Sequence, residues 1–325
     1  MKFRRRQFLT LAGAALAAPA FARHGYAQSY PSRPVKIVVG YTPGGSADIT
    51  GRLIGQWLQE KLNQAFVIEN RPGGGTNIAT EAVIAAAPDG YTLLLTAPAN
   101  AINATLYEKM NHLYLRDTEQ VAGLIRFPNV VIVNPSLPIN TIPELIDYAK
   151  KNPGKLNMAS SGNGSTIHMS GELFKMLTGI QMTHVPYRGS APALTDMIGG
   201  SVQVMFDNIP SASPFVIDGK LRGLAVTSTE RAALLPKLPL VSEFLPGYEA
   251  YSWYGLAAPK GTPKEIIDKI NADVNAILAD EKTKTRFAEL GATTIPGKPA
   301  DFTKWVTEET EKWGKVVKFA GVKAS

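Results

Sequence analysis

The residues Ser160-Ser161-Gly162-Asn163-Gly164-Ser165-Thr166 concentrate glycine, hydroxyl and amide groups without one ionisable side chain. A short apolar run, Leu156 to Ala159, precedes them, and a helical pattern of Ile167, Met169, Leu173, Phe174 and Leu177 follows at once, so the order is strand, loop, helix. Glycine adopts positive φ and lets neighbouring N–H groups converge, Ser165 is placed to cap the new helix, and the helix N-terminus carries roughly half a positive charge. The chemistry this suits is the binding of an anion by backbone N–H groups and hydroxyls, with no lysine required. An ordinary strand-to-helix turn also favours Gly and Ser, so the loop alone leaves both readings open.

Three earlier strand-like runs end in comparable loops. Val35 to Val39 leads into Tyr41-Thr42-Pro43-Gly44-Gly45-Ser46-Ala47-Asp48 and a helix with apolar residues Ile49, Leu53, Ile54, Trp57, Leu58 and Leu62. Phe66 to Glu69 opens onto Asn70-Arg71-Pro72-Gly73-Gly74-Gly75-Thr76-Asn77 and a helical run from Ile78 to Ala87; Thr92 to Thr96 ends at Ala97-Pro98-Ala99-Asn100. In open α/β sheets ligands bind at such loops beyond the carboxyl ends of the strands.

Two extended runs, Val121 to Ile125 and Val130 to Val133, are separated by Arg126-Phe127-Pro128-Asn129, which suggests a crossing between lobes. Thr141-Ile142-Pro143-Glu144 has the pattern of a capping box, and Thr262-Pro263-Lys264-Glu265 repeats it before a stripe of Ile266, Ile267, Ile270, Val274, Ile277 and Leu278. Arg222 to Thr227 and Trp253 to Ala258 read as strands, Leu234 to Gly247 as a Pro-rich loop, and a last helix puts Phe302, Trp305, Val306, Trp313, Val316 and Val317 on one face. The alternation implies an α/β chain of two interleaved lobes, 28–125 with 250–325 returning to it, and 126–249.

Enzyme signatures are missing. There is no G-x-S-x-G or H-E-x-x-H; Gly40 and Gly45 have the Walker spacing, but Ser46 replaces the lysine. Ile78 and Ile167 occupy the place of the third glycine in two would-be dinucleotide fingerprints. His112, His168 and His184 lack metal-ligand spacing, and His168 fits a packed helix-start residue better than a ligand. No cofactor or metal is expected.

Of the 325 residues, the first 27 read as an export signal: Lys2-Phe3-Arg4-Arg5-Arg6-Gln7-Phe8-Leu9 carries a twin arginine ahead of an apolar run to Ala20 too short to span a bilayer. Cleavage is expected after Ala27, with Ala20-Phe21-Ala22 as the alternative site. The whole chain has a formal charge of +7, but residues 1–27 hold five bases (Lys2, Arg4, Arg5, Arg6, Arg23) and no acid, leaving 29 basic against 27 acidic residues. That balance argues for neither a nucleic-acid nor a membrane-surface partner. With no cysteine, disulfides and thiolate metal sites are excluded.

Several multi-residue motifs, in order along the chain, carry a resemblance: Pro43-Gly44-Gly45-x-x-Asp48, Asn70-Arg71-Pro72-Gly73, Ser160-Ser161-Gly162-x-Gly164-Ser165-x-x-His168, His184-Val185-Pro186-Tyr187-Arg188-Gly189, and Gly219-Lys220-Leu221-Arg222-x-Leu224-Ala225-Val226-Thr227-Ser228. The chain resembles the Bug-type extracytoplasmic solute receptors of tripartite tricarboxylate transporters. The resemblance implies a type II periplasmic-binding-protein-like fold with a ligand cleft between two lobes, no enzymatic activity, and a periplasmic monomer. Such a receptor closes on a small aliphatic or aromatic mono- or dicarboxylate and delivers it to membrane subunits of the transporter. A receptor feeding a sensor pathway and an exported hydrolase on an α/β scaffold are the alternatives.

The ligand-binding residues so implied are Tyr41, Gly44, Gly45, Ser46, Ala47 and Asp48; Thr76, Ala97 and Asn100; Ser160, Gly162, Asn163, Gly164, Ser165 and Thr166; and Asp207. Tyr41 and Thr42 stand where the family more usually has Phe-Pro. Asp207 matches a family position often near the ligand, and either accepts an amine or caps the next turn. Gly45 and Gly164 are both expected to reject a side chain.

Overall fold

The valines and isoleucine of Val35 to Val39, interrupted only by Lys36, form β1 (Val35–Val39), and β2 (Phe66–Asn70) and β3 (Thr92–Thr96) pair with it on either side in parallel. The computed structural model describes residues 30–107 and 109–322; the export segment and its cleavage site lie outside the described residues. The described residues from Arg33 onward form one contact unit.

Each parallel strand is followed by a helix: α1 (Ser46–Leu62) after β1, α2 (Asn77–Ile84) after β2 and α3 (Pro98–Leu106) after β3. The α1 helix buries Ile54 and Leu58, but the rest of its packed side is Ala47, Thr50, Gly51 and Gly55 rather than the broader stripe expected. A Cβ on Gly51 would stand 3.3 Å from Val39 and one on Gly55 3.1 Å from Ile68, so small residues seat this helix close on β1 and β2.

A short helix, α4 (Tyr114–Asp117), leads into β4 (Thr118–Val133), one strand of 16 residues with Arg126 alone in it exposed. The two runs expected here are thus continuous, with no loop between them. The partner changes instead: β4 pairs with β9 (Tyr251–Pro259) as far as Pro128↔Tyr251, and with β7 (Val204–Asn208) from Asn129↔Asn208 onward. Proline lacks an N–H, and Pro128 falls at that change of partner, where the ladder is already interrupted.

The second part of the sheet runs β4, β7, β5 (Asn157–Ser160), β6 (Thr183–Pro186), with β8 (Arg222–Val226) also pairing with β4, while the short β10 (Thr293–Thr294) pairs with Ile125 and Arg126 in the first part. Its helices are α5 (Ile142–Lys151), α6 (Thr166–Thr178), α7 (Ser190–Ile198) and α8 (Ile209–Ile217). Thr141 caps α5 by accepting from the Glu144 N–H, while the Glu144 carboxylate reaches back to the Asn140 N–H. The chain ends with α9 (Lys264–Ala279), α10 (Glu281–Ala288) and α11 (Pro299–Ala320). The capping box expected at Thr262 does not form: Thr262 Oγ1 donates to the Pro259 carbonyl and no side chain caps α9.

Two apolar clusters result. Val38, Val83, Leu94, Trp253, Phe302 and Val306 form one, and Val131, Leu145, Met158, Phe174, Phe206 and Tyr248 are in the other. The second also holds Leu106 of α3 and Trp313 and Val317 of α11, so the last helix has one end in each. Both indole N–H groups of Trp253 and Trp313 donate to Glu309 Oε2, at 3.3 and 2.9 Å.

Candidate functional site

Five helices begin at one small cavity. Its wall is formed by Gly45, Ser46 and Ala47 at the start of α1, Ala97 and Pro98 at α3, Ser165 and Thr166 at α6, Ser190 at α7 and Asn208 at α8, closed by Tyr41, Ser161, Ser252 and Tyr254. None of these residues carries a formal charge. Helix starts leave N–H groups without intrahelical acceptors, and each N-terminus contributes roughly half a positive charge. Neither α1, α7 nor α8 has a side-chain cap, so their first-turn N–H groups are not taken up in that way.

The local reasons are readable. Gly45 precedes α1 in extended backbone (φ −85°), and the Gly44 N–H before it donates to Asp48 Oδ2 at 3.0 Å. Asp48 also receives Arg52 Nε at 2.9 Å and Asn70 Nδ2 at 3.1 Å. Burial alone would raise its carboxyl, but those three donors hold it below the usual carboxylate range. Asp48 therefore clamps the loop and does not reach the cavity wall. Asn100 does the same work at α3: its Oδ1 accepts the Ala97 N–H at 2.8 Å, and its Nδ2 donates to Thr80 at 2.8 Å.

At α6 the expected cap is present, Ser165 Oγ accepting from the His168 N–H at 3.2 Å. The expected nest of free N–H groups is not. Gly162 N–H donates to Ser160 Oγ, Gly164 N–H to His168 Nδ1 at 3.3 Å, and Ser165 N–H to the Gly162 carbonyl. The loop therefore presents the side of its hydroxyl residues Ser161, Ser165 and Thr166 to the cavity. Gly164 is at φ +75°, and a Cβ there would lie 2.5 Å from Asn103 Oδ1, so only glycine fits. Gly45 differs from expectation, since a Cβ on it would meet Ser190 at an ordinary 3.7 Å.

Beneath this loop the rings of His168 and His184 stack at 3.8 Å, with His184 Nε2 2.6 Å from Ser160 Oγ. That is the Ser–His distance of an acyl-transfer pair, but Ser160 is fully buried, and burial together with neighbouring His168 pushes His184 down to about 3, far too low for a base at neutral pH. The pair is a support for the loop.

Across the cavity Asn208 Nδ2 donates to Ser46 Oγ at 2.8 Å and to Tyr254 OH at 3.1 Å, and those two hydroxyls are 2.7 Å apart. One hydroxyl hydrogen of the two must point at the other oxygen, so the remaining one is free for an acceptor in the cavity. Burial pushes the phenols of Tyr254 and Tyr41 well above their usual range, which keeps both as donors. Asp207 lies one layer behind, accepting Ser190 Oγ at 2.7 Å and Ser211 Oγ at 2.8 Å, with burial pushing its carboxyl up to about 6.

Of the expected residues, Tyr41, Gly45, Ser46, Ala47, Ala97, Ser165 and Thr166 are thus brought to one wall. Thr76, Gly162 and Asn163 line an adjoining recess of about 290 Å³, which shares Ser161 with the cavity and also includes Tyr107 and Arg188. Gly44, Asp48, Asn100, Ser160, Gly164 and Asp207 stand behind. Sequence reasoning named Ser161 and Pro98 only within their loops, and missed Ser190, Asn208, Ser252 and Tyr254. Asn208-Ile209-Pro210 and Ser190-Ala191-Pro192 do carry helix-start signals, whereas nothing in the sequence around Ser252 and Tyr254 points to the site.

The cavity itself is about 10 Å³, room for roughly one water molecule. The loops that enclose it touch: Thr42 N–H donates to the Arg188 carbonyl at 3.0 Å, and a Cβ on Gly189 would stand 2.2 Å from Thr42 Oγ1.

The family model described as "Tripartite tricarboxylate transporter family receptor" matches residues 51–322. Among curated proteins, BugT of Bordetella pertussis strain Tohama I is 33% identical over 320 residues, covering 98% of each chain. Among solved structures, Rpa4515 of R. palustris, determined with adipate, superposes with a TM-score of 0.88 at 40% identity, covering 90% of this chain and 98% of that one. MatC from Rhodopseudomonas palustris, with bound malate, gives 0.85 at 33% identity, covering 89% and 100%.

Proposed function

The chain belongs to the tripartite tricarboxylate transporter receptor family, and from that membership we propose that it captures a small carboxylate in the cavity between its two α/β lobes and hands it to the membrane subunits of such a transporter. It is a receptor and not an enzyme. The observation that carries the ligand class is the convergence of five helix N-termini on a wall with hydroxyls and no charged side chain. A carboxylate there exchanges its hydration for charge-assisted hydrogen bonds of roughly 1.5–3 kcal/mol each, without the desolvation of a lysine or arginine.

The site residues we assign are those on the wall and its adjoining recess, with Ser190, Asn208 and Tyr254 added to the expected set. A dicarboxylate is favoured, because the recess beside the cavity adds about 290 Å³ of volume and Arg188 is among the residues that line it. Rpa4515 and MatC, which hold adipate and malate, support that choice. The proposed location is the periplasm, reached through the twin-arginine segment and cleavage near Ala27. No helix among the described residues is long and apolar enough to cross a membrane.

A thermal-shift panel of aliphatic, aromatic and amino-acid carboxylates tests the reading. A ligand at 100 times its Kd stabilises by about 2.7 kcal/mol, which for a protein of this size is a readable rise in Tm. The expected outcome is a shift with malate or adipate that grows with concentration; no shift with any carboxylate would overturn the assignment.

A further inference from the structure

A buried carboxylate one layer behind an anion seat is a contradiction in charge, and Asp207 is such a group. It is 0% exposed at the end of β7, while Ser190, which donates to it at 2.7 Å, is itself on the cavity wall. We propose that Asp207 is a proton-linked positioning residue of the seat: one proton taken up by its carboxyl releases the Ser190 hydroxyl to a bound carboxylate. The inference rests on the receptor reading given above.

The donor count makes the step definite. While Asp207 is ionised it can only accept, so the single hydroxyl hydrogen of Ser190 points at it, and that of Ser211 is shared between it and the Asn208 carbonyl. Ser190 then offers a lone pair to the cavity, which repels a ligand oxygen. Protonated, Asp207 has an O–H of its own that can donate to Ser190 Oγ, and the Ser190 hydrogen turns to the ligand. Ser211 keeps its place in either state because the Asn208 carbonyl is a second acceptor at 3.0 Å.

Burial favours an uncharged Asp207 and outweighs the donors that face it. From α7 it meets Ser190, from α8 Ser211, from β7 the Asn208 N–H, and from β9 the phenol of Tyr254, which faces Tyr41. The neighbouring β4 places Val130 in register with it and neutral Asn129 beside it. The ionisable groups that α6 brings, His168, Glu172 and Lys175, interact with one another and with His184. Among the described residues no base forms an ion pair with Asp207, and burial already places its carboxyl at about 6. A ligand's negative charge nearby favours the protonated form further.

Calorimetry with malate and with adipate between pH 6.5 and 8.5, in buffers of different ionisation enthalpy, tests this. The wild-type protein should take up close to one proton per ligand at pH 8, and its affinity should fall by about tenfold per pH unit above the Asp207 titration. Asp207→Asn should bind with no proton uptake and a flat pH profile. Ser190→Ala, which leaves Asp207 intact, should bind more weakly and take up markedly less, and it serves if the first variant does not fold. Binding without proton uptake, or uptake undiminished in both variants, overturns the proposal while the receptor reading stands. Absence of binding by either acid and by every member of the carboxylate panel removes both.

Discussion

Asp207 has a consequence for stability as well as for binding. Its carboxyl titrates at about 6 when folded against an ordinary 3.8, so the folded state holds more protons than the unfolded between those values. Stability must then fall as pH rises through that window, and above pH 6 the full cost is about 3 kcal/mol. Asp207→Asn keeps an acceptor for Ser190 and removes the charge. Urea unfolding should show the variant more stable than wild type near pH 7.5, by roughly 1–3 kcal/mol after the altered bond to Ser211, with the advantage shrinking toward pH 4. A difference that does not change with pH would mean that the buried carboxyl is not the source.

Among the elements, the start of α6 is a tight joint. Ser165 caps it, His168 ties down the Gly164 N–H, and Gly164 passes 2.5 Å, measured from a hypothetical Cβ, from Asn103 of α3. Gly45, at the start of α1, has a φ of −85° and ordinary clearance. Gly164→Ala should therefore cost about 2 kcal/mol or more, from left-handed backbone plus displacement of Asn103, whereas Gly45→Ala should stay within about 0.5 kcal/mol. Denaturant melts of the two folded variants decide it; equal losses would show that the loop at α6 relaxes freely. Ser165 was legible as a cap because capping is a local pattern of residue types. That His168 takes the Gly164 N–H was not, because the position of its ring is set by stacking on His184, which lies on β6.

On the scale of the molecule, closure is the issue. A cavity of about 10 Å³ cannot admit adipate or malate without movement, and the loops around it are joined by the Thr42–Arg188 backbone bond and by Asn208 bound to Ser46. Opening would have to bend β4 and the chain near Tyr251, where the partner of β4 changes, and would load α11, whose ends lie in both apolar clusters. We therefore expect solution scattering to give a larger radius of gyration without malate or adipate than with it. Equal radii under saturating ligand would replace the moving lobes by a preformed pocket.

The α/β alternation, the places where most helices begin and the absence of an enzymatic signature were written in the sequence, because apolar periodicity, glycine, proline and capping residues act over a few neighbours. The loops of Tyr41 to Asp48 and Ser160 to Thr166 were legible on the same ground. Which of their groups face the cavity was decided by the tertiary structure: Asp48 turns back to Arg52 and Asn70, while the N–H groups of Gly162 and Gly164 are consumed inside their own loop. Tyr254 and Ser252 come from a strand some two hundred residues after Ser46, and meet it only because β9 runs antiparallel between β3 and β4. No local pattern encodes that meeting, since it depends on strand order and register, which are settled by burying both faces of the sheet at once.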